Sequence, residues 1–302
     1  MQALIYIIIL IWNHLEDTIE CLGSVLKTDY PNYSIVIVDN ASTDSSVRHV
    51  KENYPQVKIL ENQENLGYAE GNNVGIRYAL EHKADYVFIL NNDTVIQPDT
   101  VRLLVEDLER NPQAIAVAPK SYYYHDREKV YFAGGQINPD GSVDHSYDDQ
   151  LSESYQTDWL NGCAMLIRAR SLPGVGLFEK KFFNLFEDTD WSMRAKNKSY
   201  ELRVNPKAVI YHKSAASFGG TKSSSYIYYY TRNHLLWIDR NFPRDIGRVY
   251  KINQYKRHFS SFRNAVKILL GYTNSHKSIR QAYVDYLLRH FSNQDYQWFS
   301  KN

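Results

Sequence analysis

Five short apolar runs punctuate the first 120 residues: Leu4 to Ile11, Ile35 to Val38, Val57 to Leu60, Tyr86 to Leu90 and Ile115 to Ala118. Uninterrupted runs of branched and aromatic residues are the mark of strands buried on both faces. The first four end in polar side chains: Asn13-His14, Asp39-Asn40, Asn62 and Asn91-Asn92-Asp93. Between the runs the apolar period lengthens to three and four. Leu15, Ile19, Leu22 and Leu26 follow the first run, Val47 and Val50 the second, and Leu103, Leu104 and Leu108 the fourth. Pro31 stops the first of these helices, Ser42 or Thr43 is placed to cap the second, and Pro98 suits a first turn. Strand and helix in alternation predict an α/β fold, a mostly parallel central sheet flanked by helices.

The pattern changes after Pro119. Val130 to Ile137 and Val143 to Tyr147 flank the turn signal Asn138-Pro139-Asp140-Gly141, which predicts a hairpin. Trp159 to Arg168 reads as a further strand of the main sheet, and Val209 to His212 as a short one. Phe182 to Phe186 leads into Glu187-Asp188-Thr189-Asp190, the acidic first turn of a helix through Met193 and Ala195. Asp190 and Arg194 are spaced for an ion pair on it. Ser214 to Ser225 is rich in Gly, Ser and Lys and reads as a mobile lid before a helix over Tyr226 to Phe242. The chain therefore divides into an α/β unit, residues 1–242, and an extension, residues 243–302, with two helical stretches.

Composition adds charge asymmetry to this picture. The net charge is +1, yet from Arg244 onward there are 11 Lys and Arg against 3 Asp and Glu, a net of +8, which leaves −7 on the rest. The near-neutral total gives no pull toward nucleic acid. The basic segment reads either as a contact with an anionic membrane surface or as the solvated face of helices packed on the body. Hydrophobic residues make up 43% of the chain, enough for a sizeable core. The two cysteines, Cys21 and Cys163, form no metal-type pair and read as buried thiols of a reducing compartment. The run from Ala3 to Trp12 is too short to cross a bilayer and lacks signal-peptide features. The expectation is a cytoplasmic protein, with peripheral contact at the inner face of the membrane as its extension.

Ligands of open α/β sheets bind beyond the carboxyl ends of the strands. Neither a G-x-G-x-x-G after the first strand nor a G-x-x-x-x-G-K-[ST] loop is present. The rim offers Asp39, Asn91, Asn92, Asp93, Glu187, Asp188 and His212 instead. Asp93 and His212 suit Mg²⁺ or Mn²⁺, which would stabilise a diphosphate leaving group. Asp39 is an acceptor for the N3–H of uracil or thymine. Asp188 is a candidate general base.

The ordered series Val38 to Asp44, Asn65 to Gly75, Leu90 to Asp93, Gly162 with Met165, Phe186 to Asp190, and His212 resembles family 2 glycosyltransferases of GT-A fold. It is most similar to bacterial rhamnosyl- and galactofuranosyltransferases of surface polysaccharide synthesis, and covers roughly residues 3 to 242. The resemblance implies inverting transfer from a UDP- or dTDP-sugar to a hydroxyl of a glycan or lipid-linked acceptor, with a divalent cation. It implies Asp188 as base, and Asp93 with His212 on the metal. It implies Asn13, Asp39, Asn65, Gly67, Asn72, Asn91, Asn92 and Asp93 on the nucleotide and donor, and Trp159, Gly162, Glu187 and Arg232 on sugar or acceptor. Where the family's metal motif begins with aspartate this chain has Asn91, which leaves one metal carboxylate there. Lys213 or Lys222 would add positive charge as the loop closes, and a homo-oligomer is a candidate assembly. Two rivals are a sugar nucleotidyltransferase, which normally needs a Gly/Arg-rich phosphate loop that is not seen, and a non-catalytic sugar-nucleotide scaffold.

Overall fold

The structure, a computed structural model, describes residues 2–138, 141–148, 150–213 and 223–291. Residues 214–222, with most of the expected lid and Lys222, lie outside the described residues. In chain order the elements are β1 (Ile5–Ile11), α1 (Leu15–Val25), β2 (Tyr33–Asp39), α2 (Ser46–Asn53), β3 (Lys58–Glu61), α3 (Gly67–Glu81), β4 (Tyr86–Asn91), β5 (Thr94–Ile96) and α4 (Thr100–Arg110). There follow β6 (Ala114–Tyr123), β7 (Asp126–Phe132), β8 (Gly135–Ile137), β9 (Val143–His145), β10 (Tyr155–Thr157), β11 (Ala164–Arg168), α5 (Leu172–Val175), α6 (Glu187–Lys196) and β12 (Glu201–His212). The chain closes with α7 (Ser224–Asn241), α8 (Arg244–His258), α9 (Phe262–Leu270) and α10 (Asn274–Leu288).

One ten-stranded sheet runs in the order β10-β12-β6-β11-β4-β1-β2-β3, with β5 on β12 and β7 on β6. β1, β2, β3, β4, β6 and β12 point one way, and β11 is inserted antiparallel between β4 and β6. The reversal matters for function: β11 starts at the rim where its neighbours end, so Gly162 and Cys163 arrive beside Asn91. On β1, Ile5, Ile7, Ile9 and Ile11 pack with Leu22, Val25, Leu104 and Leu108, while Ile8 packs on the other face with Ile76 and Trp191. Both faces are covered, which is why β1 carries no polar alternation. Helix α3 lies close on β1, and a Cβ at Gly75 would meet Ile8 at 2.5 Å.

Three expectations are corrected. The run Val130 to Ile137 is two strands, β7 and β8, because Gly134 turns the chain at φ +92°. Ser42 and Thr43 do not cap α2. Their backbone amides bond Asp39 and Asn13, and Asp44 Oδ1 accepts from Ser46 N at 2.9 Å. The extension has three helices, not two, since Ser261 caps a separate α9. Helix α10 packs on α7, with Tyr228 OH donating to Asp285 Oδ2 at 2.7 Å. Asp239 of α7 accepts from Lys251, Tyr286 and Arg289. No helix among the described residues is long and apolar enough to cross a membrane.

Candidate active site

The ends of β1 and β2 form one side of the rim. Asp39 closes β2, 3% exposed, and both its carboxylate oxygens accept from Ser42 N at 3.1 and 3.2 Å. Burial pushes its carboxyl up, against the Ser42 hydrogen bonds. Asn13, at φ 61°, ties the two strand ends together: its N–H donates to Ser42 Oγ and its Oδ1 accepts from Thr43 N. Asn65 Oδ1 accepts from Gly67 N at 2.8 Å and from Asn40 Nδ2 at 3.2 Å. Asn13 and Asn65 thus brace the loops that frame the site. Gly67 takes φ 76°, and a Cβ there would strike Phe183 at 2.5 Å. Asn72 is fully buried in α3, with its amide donating to Tyr68 O at 2.9 Å, and it lines neither of the two rim cavities.

Asn91 ends β4 between two cavities, one of about 450 Å³ and one of about 90 Å³. Asn92 lines the smaller one and donates to Thr18 Oγ1 at 3.1 Å. Asp93 lines the larger. Its Oδ1 stands 3.1 Å from His212 Nε2, and both residues are buried, at 6% and 5% exposure. Apart from this contact Asp93 Oδ1 has no partner among the described residues, and His212 Nδ1, on the other side of the ring, has no hydrogen-bond partner among them. Burial would raise the Asp93 carboxyl, but the facing His212 and nearby Lys213 hold it below the ordinary value. A buried carboxylate and imidazole left short of partners fit a divalent cation. No group of three or more His, Cys, Asp or Glu gathers for a metal among the described residues, so the remaining ligands would come from outside these side chains. Lys213 is not directed at the site. It is ion-paired with Asp17 at 2.5 Å and Glu20 at 2.7 Å.

Asp188 lines the same 450 Å³ cavity. Its Oδ2 accepts from Gly162 N at 2.9 Å, and its Oδ1 from Thr189 N at 2.6 Å. Burial pushes this carboxyl up, against those hydrogen bonds. Glu187 beside it is pushed well up by burial and by the Asp188 charge, and its Oε2 has no hydrogen-bond partner among the described residues. Gly162 also accepts Tyr68 OH at 2.6 Å, so one residue links α3, β11 and the base candidate. Trp159 lines the cavity, with its indole donating to Asp144 O at 3.2 Å and its ring packed on Phe132 and His145.

Asp188 is delivered by a strained segment. Phe183, Leu185 and Phe186 adopt φ of 62°, 70° and 73°, left-handed conformations unusual for bulky residues. Helix α7 holds them there. Asn233 Nδ2 donates to Phe182 O, Asn184 O and Leu185 O, and Arg232 donates to Lys181 O and Phe182 O. This corrects the placing of Arg232 on sugar or acceptor: it is 0% exposed, and its guanidinium donates to the carbonyls of Lys181 and Phe182, to Asn233 Oδ1 and to Tyr228 OH. In the sequence Asn233 reads, with Arg232, either as reaching acceptor or diphosphate or as capping contacts inside the body, and it does the second. Tyr68, Tyr131 and His145 were not singled out in the sequence. Tyr68 had a signal in its place within the Asn65 to Gly75 motif, whereas His145 reaches the cavity only through the β8–β9 hairpin. The expected Asp190–Arg194 pair forms at 2.9 Å and Arg240 joins it. A wider cavity, about 880 Å³, lies at the other rim around the starts of β1 and β4, away from these residues.

The fold, with its polar strand ends gathered on one rim of the sheet, is of the GT-A class. The glycosyl transferase family 2 model matches residues 6–172, and the chain belongs to that family. It is 26% identical over 251 residues to the N-acetylglucosaminyl-diphospho-decaprenol L-rhamnosyltransferase of Mycobacterium tuberculosis, covering 76% of this chain and 81% of that protein. It is 25% identical over 262 residues to the dTDP-rhamnosyl transferase RfbF of Shigella flexneri, covering 80% and 82%. The mannosyltransferase PcManGT from Pyrobaculum calidifontis, solved with GDP-Man and Mn²⁺, superimposes with a TM-score of 0.59 at 17% identity, over 96% of this chain and 88% of that one. The chain is a family 2 glycosyltransferase related to bacterial rhamnosyltransferases.

Proposed function

We propose that this enzyme transfers a sugar of rhamnose or galactose type, with inversion, from a UDP- or dTDP-sugar to a hydroxyl of a glycan or lipid-linked acceptor of cell-surface polysaccharide. The observation that carries this is one cavity of about 450 Å³ lined by Asp188 together with Asp93 and His212. Asp39 accepts the N3–H of the base, and Asn91 meets the donor between the two cavities. Asp93 and His212 would hold Mn²⁺ or Mg²⁺, which when bound neutralises charge developing on the diphosphate. Asp188, steered by Gly162 N and Thr189 N, takes the proton from the attacking acceptor hydroxyl. The aromatic walls, Tyr68, Tyr131 and Trp159 among them, exclude water and offer ring faces to sugars. The names of the mycobacterial and Shigella relatives support rhamnose, the first also a polyprenyl diphosphate acceptor and the second a dTDP donor. The PcManGT complex supports a divalent cation. In this reading residues 1–242 are the catalytic unit, residues 243–302 the extension, and the site works at the cytoplasmic face of a membrane.

The test is Asp188→Asn, which keeps the shape and removes the base. Transfer should fall by about 10²–10⁴-fold while donor-sugar binding survives. Wild-type transfer by this variant would assign the base elsewhere.

A further inference from the structure

Among the described residues, ten of the thirteen exposed large apolar side chains lie between residues 246 and 288. Four of them, on α9 and in the turn that leads to α10, include the most exposed. Phe262, Leu269 and Leu270 fall at i, i+7 and i+8 on α9, one face of that helix, at 87%, 64% and 74% exposure. Tyr272 in the following turn is 73% exposed. The opposite side of α9 is used, because Ile268 is buried at 1%. Charge frames this apolar corner. Lys267 lies 5.6 Å from the Tyr272 ring, Arg280 donates to Leu269 O at 2.8 Å, and a Cβ at Gly271 would lie 2.8 Å from Lys277. From residue 244 to 291 the acids are Asp245 and Asp285, and Asp285 is 3% exposed and bonded to Tyr228.

We infer that the α9–α10 corner is a membrane-docking surface, which seats Leu269, Leu270 and Tyr272 in the interface of an anionic bilayer with Lys267, Lys277 and Arg280 on its headgroups. Exposed leucines beside lysine and arginine are what such an interface binds, one part by burial and the other by charge. A second copy of the chain is the wrong occupant, since it would bring an equally positive corner against this one. The inference deepens the lipid-linked acceptor of the proposed function, yet it is tested apart from transfer.

The full chain is sedimented with vesicles of phosphatidylcholine alone or mixed with phosphatidylglycerol, at low and high salt. Expected is partition about tenfold or more stronger onto the anionic vesicles at low salt, weakened by salt. Leu269→Ser with Leu270→Ser, and separately Lys267→Glu with Lys277→Glu, should each lower that partition about tenfold. Leu269, Leu270 and Lys277 are exposed and Lys267 is half-buried, so an unchanged melting temperature checks folding, and transfer to a soluble acceptor should persist in both variants. Equal binding to neutral vesicles, variants that bind like wild type, or a chain that dimerises and binds no vesicle would overturn the inference. Loss of transfer without loss of vesicle binding would count against the catalytic reading alone.

Discussion

At the scale of single residues, the site is a set of polar side chains held in place by backbone amides. Asp39 shares the Ser42 N–H between its two oxygens and Asp188 accepts from two main-chain N–H groups, which aim the oxygens and oppose the effect of burial. Asp93 and His212 face each other instead, with no other partner for Asp93 Oδ1 and none for His212 Nδ1 among the described residues. Replacing His212 with Ala should weaken the divalent cation by roughly 10–100-fold, read as loss of the Mn²⁺-dependent thermal shift with donor sugar. Asp188 also sets a pH dependence. Its carboxyl is raised in the folded chain, so the basic form is lost as pH falls through that raised value. The acid limb of kcat/KM should therefore lie above the ordinary aspartate value of about 4, and a limb at or below it would contradict the burial of this group.

At the scale of elements, the chemistry depends on how α7 holds the turn before α6. Removing the Asn233 amide takes the donor from Asn184 O and Leu185 O, leaves Phe182 O to Arg232 and Asn184 N, and loosens a segment with three left-handed residues. Asn233→Ala should lower kcat by about 10²-fold with donor KM little changed, since small displacements of a catalytic group carry large rate penalties. A parallel rise in KM and no kcat effect would show that the clamp serves binding instead. Glu187 gives a second prediction for α6. Its folded carboxyl is raised, so its stabilising contribution is complete below about pH 4 and is lost as pH rises through the folded value. Glu187→Gln should thus stabilise the chain at neutral pH by about 1–3 kcal/mol, with the gain gone near pH 4, as read from urea unfolding at both pH values.

The strands and their polar ends were legible because buried parallel strands advertise themselves as apolar runs, and Asp39, Asp93, Asp188 and His212 all stand at the rim as expected. The clamp was not legible. Arg232 and Asn233 look like polar residues available to ligand, and only tertiary contact shows their donors turned onto carbonyls about 50 residues back in the chain. The left-handed φ values of Phe183, Leu185 and Phe186 leave no glycine or asparagine signal at those positions. Asn138 to Gly141 announced the hairpin, yet not that it would bring His145 across the cavity.

At the scale of the whole molecule, the extension is part of the fold of the catalytic unit. Leu235 of α7 is buried with Tyr283 and Tyr286 of α10, and Tyr228 and Tyr229 with Ala282. Ending the chain after residue 242 would bare these side chains, and the shortened protein should melt roughly 10 °C or more lower. An unchanged melting temperature would mean that α7 needs no cover. The same helices carry the basic, apolar outer corner, so one appendage both packs on α7, which holds the turn before Asp188, and presents the surface proposed for membrane docking.

The central claim is a uridine- or thymidine-type sugar nucleotide seated through a divalent ion on Asp93 and His212, with Asp188 acting on the acceptor alone. It is tested most directly by thermal shift of wild type, His212→Ala and Asp188→Asn with UDP-, dTDP- and GDP-sugars, with and without Mn²⁺. Expected is stabilisation of wild type and Asp188→Asn by a UDP- or dTDP-sugar only when Mn²⁺ is present, and its loss in His212→Ala. Stabilisation by GDP-sugars alone, or equal stabilisation without Mn²⁺, would contradict it.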